Sequence, residues 1–252
     1  MKLYQFKPIR SLRDITRLEQ LLGGYMHVSL CGQMNDVLEG GCRIRPAQDS
    51  NIVLFKEQLK QFQKQYFVGC FCRSQTDDGA DVLKNHLMWA HYASRHTGVA
   101  IEFETTEAAC KNFGVSFSAV QYTEEIPIVD MADFITGANE FDGERIAGLA
   151  RQLLLCKLHD WSYEQEWRLL VGRDHDAITT KRGHNYLEIV SAARTKHVAP
   201  LRITGVYLGC NFHQNPVVEI SRKKQTRLIL KCKQLGLGPV NVARKFPETF
   251  GR

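Results

Sequence analysis

Apolar positions change period several times along the chain, and the changes divide it into short elements of both kinds. Leu12, Ile15, Leu18, Leu21 and Leu22 recur at helical spacing behind Ser11, a good N-cap, and Gly23-Gly24 stops the run. Alternating or continuous apolar stretches predict strands at 2–6, 25–30, 67–72, 98–103, 116–122, 162–171, 186–190 and 203–208. Helices are expected from Asn51 to about Tyr66 and from about Asp81 to Ala93. Residues 131–159 read as mainly helical with breaks at Gly137, Gly143 and Gly148. Asn215-Pro216 sets a cap followed by proline at the first helical position, predicting a basic helix to Leu235. Gly236-Leu237-Gly238-Pro239 closes that helix, and residues 240–244 read as a terminal strand. The strands cluster too irregularly for a doubly wound parallel sheet. The expectation is one mixed α+β domain over residues 1–252, with largely antiparallel sheets and surrounding helices.

Composition narrows the class. At 252 residues, 44% hydrophobic and 24% charged, the chain reads as an ordinary globular protein. No apolar run approaches the roughly 20 residues that span a bilayer, so no membrane partner is expected. The opening residues lack an apolar h-region, and no secretory signal is read there. The eight cysteines form no CxxC pair and scatter through apolar segments, which suits reduced thiols in a cytoplasm.

Charge is uneven. Residues 181–252 carry 14 Lys or Arg against three acids, a net of +11, whereas the first 180 carry 19 against 24. This asymmetry makes Arg222, Lys223, Lys224 and Arg227 candidates for contact with nucleic acid. A solvated basic helix is the alternative, because no aromatic residues interleave with these charges as base stacking requires.

The densest chemistry lies in Trp161-Ser162-Tyr163-Glu164-Gln165-Glu166-Trp167-Arg168. On a strand, Glu164, Glu166 and Arg168 share one face, and Tyr163, Trp167, Leu169 and Val171 share the other. On a helix, Glu164 and Arg168 would form an ordinary i,i+4 pair. Asn35, Asp36 and Glu39 lie in a Gly-flanked loop, where such residues stabilise turns but also suit ribose hydroxyls. His86, His91 and His96 are five apart, about 140° per step on a helix, so no metal site is read there. His91, with Trp89 and Tyr92, is a candidate ligand contact or a core histidine. Gly209-Cys210-Asn211 ahead of Pro216 offers a weak phosphate-binding turn. There is no GxSxG, HExxH or P-loop.

Five segments in order resemble one bacterial family, the domain of unknown function 2971. They are Met34-Asn35-Asp36-x-x-Glu39, Met88-Trp89-Ala90-His91-Tyr92-Ala93, His96-x-Gly98-Val99-x-Ile101-x-Phe103, Lys157-x-x-x-Trp161-x-Tyr163-Glu164-x-Glu166-Trp167-Arg168, and Val206-Tyr207-Leu208-Gly209. Val37 stands where the family often has proline, and Gln5 where a basic residue is common. The resemblance implies no activity.

Two functional readings follow from the residues. In the first, the chain is similar in layout to ADP-ribosyltransferases, with NAD as substrate and no metal. That superfamily carries a basic residue or histidine on an early strand, a serine or aromatic residue on the next, and Glu-x-Glu late. The counterparts here are a residue within Lys2 to Lys7, Ser29, and Glu164 with Glu166. Glu166 would stabilise an oxocarbenium ion, and Glu164 would orient or deprotonate the acceptor. Tyr92 or Trp89 would stack on nicotinamide. In the second reading, the chain is a non-catalytic nucleic-acid-binding or regulatory module of a bacterial defence or toxin system. The acidic and aromatic segments then build core only.

Overall fold

A computed structural model describes residues 1–34, 36, 38–48, 51–75, 79–137, 140–181, 183–189, 200–217, 228 and 230–250. Its centre is a seven-stranded sheet. The strands, in chain order, are β1 (Lys2–Lys7), β2 (Tyr25–Val28), β3 (Arg43–Arg45), β4 (Tyr66–Arg73), β5 (Val99–Glu104), β6 (Ser116–Ala119), β7 (Gln121–Thr123), β8 (Ile128–Asp130), β9 (Cys156–Leu158), β10 (Glu166–Gly172), β11 (Ile178–Lys181), β12 (His184–Glu188), β13 (Arg202–Leu208) and β14 (Val240–Asn241). The large sheet runs β14-β13-β5-β1-β4-β10-β6, antiparallel except for the β13–β14 pair. A three-stranded sheet β11-β12-β2 and two parallel pairs, β3-β8 and β7-β9, complete the strands. The protein is α+β with mixed, mostly antiparallel pairing.

Alternation along the strands builds cores on both faces of the large sheet. Leu3, Phe71, Ile101, Phe103, Leu169 and Val171 point one way, into a core closed by helix α1 (Leu12–Leu22) and the three-stranded sheet. Tyr4, Phe6, Cys72 and Ala100 point the other way, against helix α3 (His86–Tyr92) and the short terminal helices Val242–Lys245 and Pro247–Phe250. Helices α2 (Ile52–Gln63) and α5 (Gly143–Leu153) pack on each other through Phe55, Leu59, Ile146 and Ala150. A short helix, α4 (Glu107–Asn112), follows β5.

Several elements differ from the pattern-based expectation, each for a local reason. The helix expected over 81–93 is split, because Asn85 turns its side chain onto the amides of Leu87 and Met88 and starts α3 afresh. Among the described residues of 131–159 the α-helix is α5, capped by Asp142, with a 310 turn before it and β9 after it. Gly143 opens this helix rather than breaking it. The strand expected over 162–171 begins at Glu166. The preceding residues form a 310 turn ending at Gln165, which is left-handed at φ 46°. The strand expected over 240–244 stops at Asn241, whose side chain caps a helical turn. The strand expected over 116–122 is split into β6 and β7, and helix α4 and strands β3, β8 and β11 are too short for periodicity to reveal.

Two glycines, Gly98 and Gly209, have a packing role. The Gly209 amide donates to the Gly98 carbonyl at 2.9 Å, and a Cβ on Gly209 would lie 2.1 Å from the His96 carbonyl oxygen. The Asn211 amide is likewise spent on His96. The 209–211 turn therefore uses the amides of Gly209 and Asn211 to pack against the α3–β5 connection, which removes the phosphate-binding reading of that turn. Gly209→Ala is expected to destabilise the fold by at least ~2 kcal/mol, because backbone on both sides must move. The urea midpoint measures it, and an unchanged midpoint would refute the close approach.

Candidate functional site

The candidate site forms where the large sheet splits. β1 pairs with β4 only at Leu3↔Arg73 and Tyr4↔Cys72. β1 then follows β5 as far as Lys7↔Val99, while β4 follows β10 as far as Gly172↔Tyr66. The two strands thus diverge beyond Tyr4. Gln5 bridges the gap by donating its side-chain amide to the Cys70 carbonyl at 2.9 Å. Farther along, Ser29 exchanges backbone hydrogen bonds with Val68 (3.1 and 2.8 Å). Between these ties lies a cavity of about 270 Å³. Cys70 is exposed in the middle of a central strand because its β1 neighbour has moved away.

One wall of the cleft is a buried charged network. Arg168, with no exposed surface, grips both carboxylate oxygens of Glu166 at 2.9 Å each and donates to the Leu154 carbonyl at 2.6 Å. It also pairs with Glu39 from the loop that follows β2. Lys157 donates to Glu164 at 2.6 Å and to Glu166 at 3.2 Å, and lies 4.8 Å from the Trp161 ring centroid. The Tyr92 hydroxyl donates to Glu164, and the Tyr122 hydroxyl accepts the Glu166 amide at 2.8 Å. Residues Glu166 and Arg168 share a face because they are two apart on β10. Glu164 reaches the same lysine from outside the strand, because the left-handed Gln165 turns the chain between them.

The network drives its carboxylates apart. Burial pushes Glu166 upward, but the Arg168 guanidinium and Lys157 ammonium outweigh it and hold this carboxyl at about 2. Burial dominates at Glu164 and at Glu39, and raises both despite their cationic partners. Three carboxylates therefore stand against two cations, which hold Glu166 ionised while Glu164 and Glu39 are raised.

The cleft collects many of the sequence candidates. Glu164, Glu166, Tyr92, Ser29, Asp36 and Glu39 line it, and Arg168 lies directly behind Glu166. Two candidates fall elsewhere. Trp89 has no exposed surface; its indole donates to Leu83 at 2.7 Å and its ring meets Phe6 edge-on, which makes it core rather than a stacking platform. His91 is exposed and meets the Tyr163 hydroxyl at 2.9 Å, outside the cavity lining. Asn35, Arg222, Lys223, Lys224 and Arg227 lie outside the described residues. The i,i+4 helical pairing of Glu164 with Arg168 is replaced by pairing through Lys157 and Glu166. Sequence reasoning missed Lys157, Cys70 and His27 as site residues. Lys157 had a signal: it is the one charge in the run Leu153-Leu154-Leu155-Cys156-Lys157-Leu158.

Fold and site together define an α+β protein whose split sheet carries a buried carboxylate–guanidinium–ammonium network at the fork. Residues 88–169 match the family described as Protein of unknown function (DUF2971). The resemblance is borne out over that range, which holds Tyr92, Lys157, Trp161, Glu164, Glu166 and Arg168. No curated protein and no solved structure matches the chain. Among the described residues, no helix is long and apolar enough to cross a membrane.

Arg168→Met should cost about 3–5 kcal/mol in urea unfolding, because it leaves Glu166 and Glu39 buried without their main partner. Arg168→Lys should recover only part of this, since an ammonium cannot form the bidentate fork. Equal stability of Arg168→Lys and wild type would refute that geometry. For Glu166 the folded value is depressed, so its contribution is present above its ordinary 4.5 and is lost as pH falls through about 2. The stability gap between wild type and Glu166→Gln should therefore be widest above pH 4.5 and narrow on acidification. A gap that widens toward acid would reverse the assignment.

Proposed function

We propose that the chain is an NAD-consuming enzyme, an ADP-ribosyltransferase or NAD glycohydrolase, whose reaction centre is the Glu166 wall of the cleft. The observation that carries this reading is the pair of carboxylates with opposed environments. Glu166 is held ionised and rigid, and Glu164, beside it on the same lysine, is raised toward neutrality. Two carboxyl groups separated in this way can divide electrostatic and proton-transfer roles. Further support comes from the meeting of three elements at one cavity: Lys7 from β1, Ser29 after β2, and Glu166 at the start of β10.

In this reading the bond from ribose C1′ to the nicotinamide nitrogen breaks, and its electron pair neutralises the pyridinium. The oxocarbenium charge left on the ribose faces the negative wall, where Glu166 stabilises it. The acceptor oxygen, from water or another molecule, bonds to C1′ and gives its proton to Glu164. Tyr92 and Lys157 hold Glu164 in place by donating to its two oxygens. The ionised Glu166 favours a cationic centre over a neutral one.

Nicotinamide release from NAD, measured with and without protein and nucleic-acid acceptors, tests the proposal. Glu166→Gln is expected to slow release on the order of a hundredfold or more. Glu164→Gln should also lose rate, and should remove the acid limb of the pH profile. That limb should lie above the ordinary carboxylate range, because a base with a raised value becomes competent only at higher pH. Absence of NAD binding and consumption by folded wild type would end this reading. Full activity in Glu166→Gln would leave the chemistry but remove its assigned centre.

A further inference from the structure

The opposite end of the cleft has the opposite sign. Lys7 and His27 line both the main cavity and an adjoining chamber of about 180 Å³, whose wall also carries Arg17 from α1. His27 meets His184 of β12 at 5.6 Å between ring centroids. Four basic side chains thus converge from α1 and three strands of two sheets. Among the described residues, Lys7 and Arg17 form no ion pair. Among the described residues Asp14 is the one carboxylate lining the adjoining chamber, and its Oδ2 serves the α1 cap, accepting the amides of Arg10 and Ser11 at 2.8 and 3.0 Å.

Two half-buried cations, Lys7 and Arg17, share the chamber with one carboxylate, Asp14, and the surplus of positive charge is a stability cost. Burial lowers the Lys7 ammonium to about 8, and burial with the charges of Lys7 and Arg17 lowers His27 to about 4. A packed core has a cheaper solution in apolar residues at these positions. Charge retained at such a cost beside a cavity points to an anionic ligand. The lysine and arginine supply a point charge and a planar fork, and neutral His27 can supply one ring N–H. Those donors suit phosphate oxygens, and the bridging position of Lys7 suits a group spanning two chambers.

We propose that the Lys7–Arg17–His27 chamber is a subsite for a diphosphate, which in a dinucleotide would extend from a ribosyl group lying against Glu166. The extension to a dinucleotide rests on the NAD-directed function proposed above. The diphosphate subsite itself rests on the basic chamber. The cleft is then bipolar, negative where positive charge develops and positive where the ligand is anionic. A ligand with separated charges is oriented in one direction only.

Calorimetric titration with inorganic pyrophosphate tests the subsite without any turnover. Wild type is expected to bind it, more weakly as salt rises. Lys7→Met and Arg17→Met should each weaken binding about tenfold. Lys245→Met, at an exposed lysine outside the cleft, should leave it unchanged. Lys7→Met keeps the aliphatic stem and removes the unpaired charge, so its unfolding temperature should rise in the absence of ligand. Failure of wild type to bind pyrophosphate overturns the subsite, as does equal binding by Lys7→Met or equal weakening by Lys245→Met. Nicotinamide release without pyrophosphate binding would overturn the subsite and leave the enzyme reading. Lys7-dependent pyrophosphate binding without consumption of NAD would sustain the subsite and overturn the NAD reading.

Discussion

The bidentate pairing of Arg168 with Glu166 is the interaction on which the cleft depends. A guanidinium with no exposed surface, on a central strand, is tolerable only if its donors are used. Here they reach Glu166, the Leu154 carbonyl and Glu39, and these three partners come from three parts of the chain. The pairing therefore ties β10 to the end of α5 and to the loop after β2. It also fixes the direction of the Glu166 carboxylate. A buried pair of this kind adds little net stability over apolar packing. Its presence is better explained by the charge that it holds at the cavity wall.

The split of the sheet supplies the space beside that charge. β1 is pulled toward β5 by a six-residue register, and β4 toward β10 by a seven-residue register, with only two pairs left between β1 and β4. Backbone groups exposed at such a fork must find partners. Gln5 meets the Cys70 carbonyl, and Ser29 closes the far end through Val68. The resulting cavity is walled by sheet on two sides. Rigid walls hold the charged groups in place without reorganisation when a ligand arrives.

Sequence pattern revealed the larger strands, α1 and the core face of β10, where Trp167 stacks on Phe117 and Leu169 and Val171 enter the main core. Those elements are long enough, or alternate cleanly enough, for periodicity to read. The same pattern brought Glu164, Glu166 and Arg168 together for a partly wrong reason. Their convergence requires a left-handed Gln165 and a lysine from β9, and neither is visible in a period of two. Trp89 was misread because a tryptophan on an amphipathic helix looks the same whether it faces a ligand or a core. Its indole N–H finds a backbone carbonyl inside the protein. Lys7, Arg17 and His27 lie on separate elements, so only the fold reveals that they meet.

Charge separation inside one small cleft has consequences that neither end has alone. A fold-stabilising network could have paired each cation with one carboxylate, yet Glu39 makes a third, and burial raises it together with Glu164. A structural lysine could have been paired, yet Lys7 lines a cavity without an ion pair among the described residues. Each departure costs stability in the absence of ligand, and the two have opposite sign. A ligand with one charge would relieve only one of them. A ligand carrying a cationic centre beside an anionic group relieves both, and a pyridinium riboside joined to a diphosphate has that arrangement. In the reaction proposed above, the cationic charge would move from the pyridinium onto the ribose, toward Glu166, as the glycosidic bond breaks. In that proposed reaction Glu166, already held ionised and aimed by Arg168, would interact more strongly as the charge arrives, which is the condition for lowering a barrier rather than deepening a ground state.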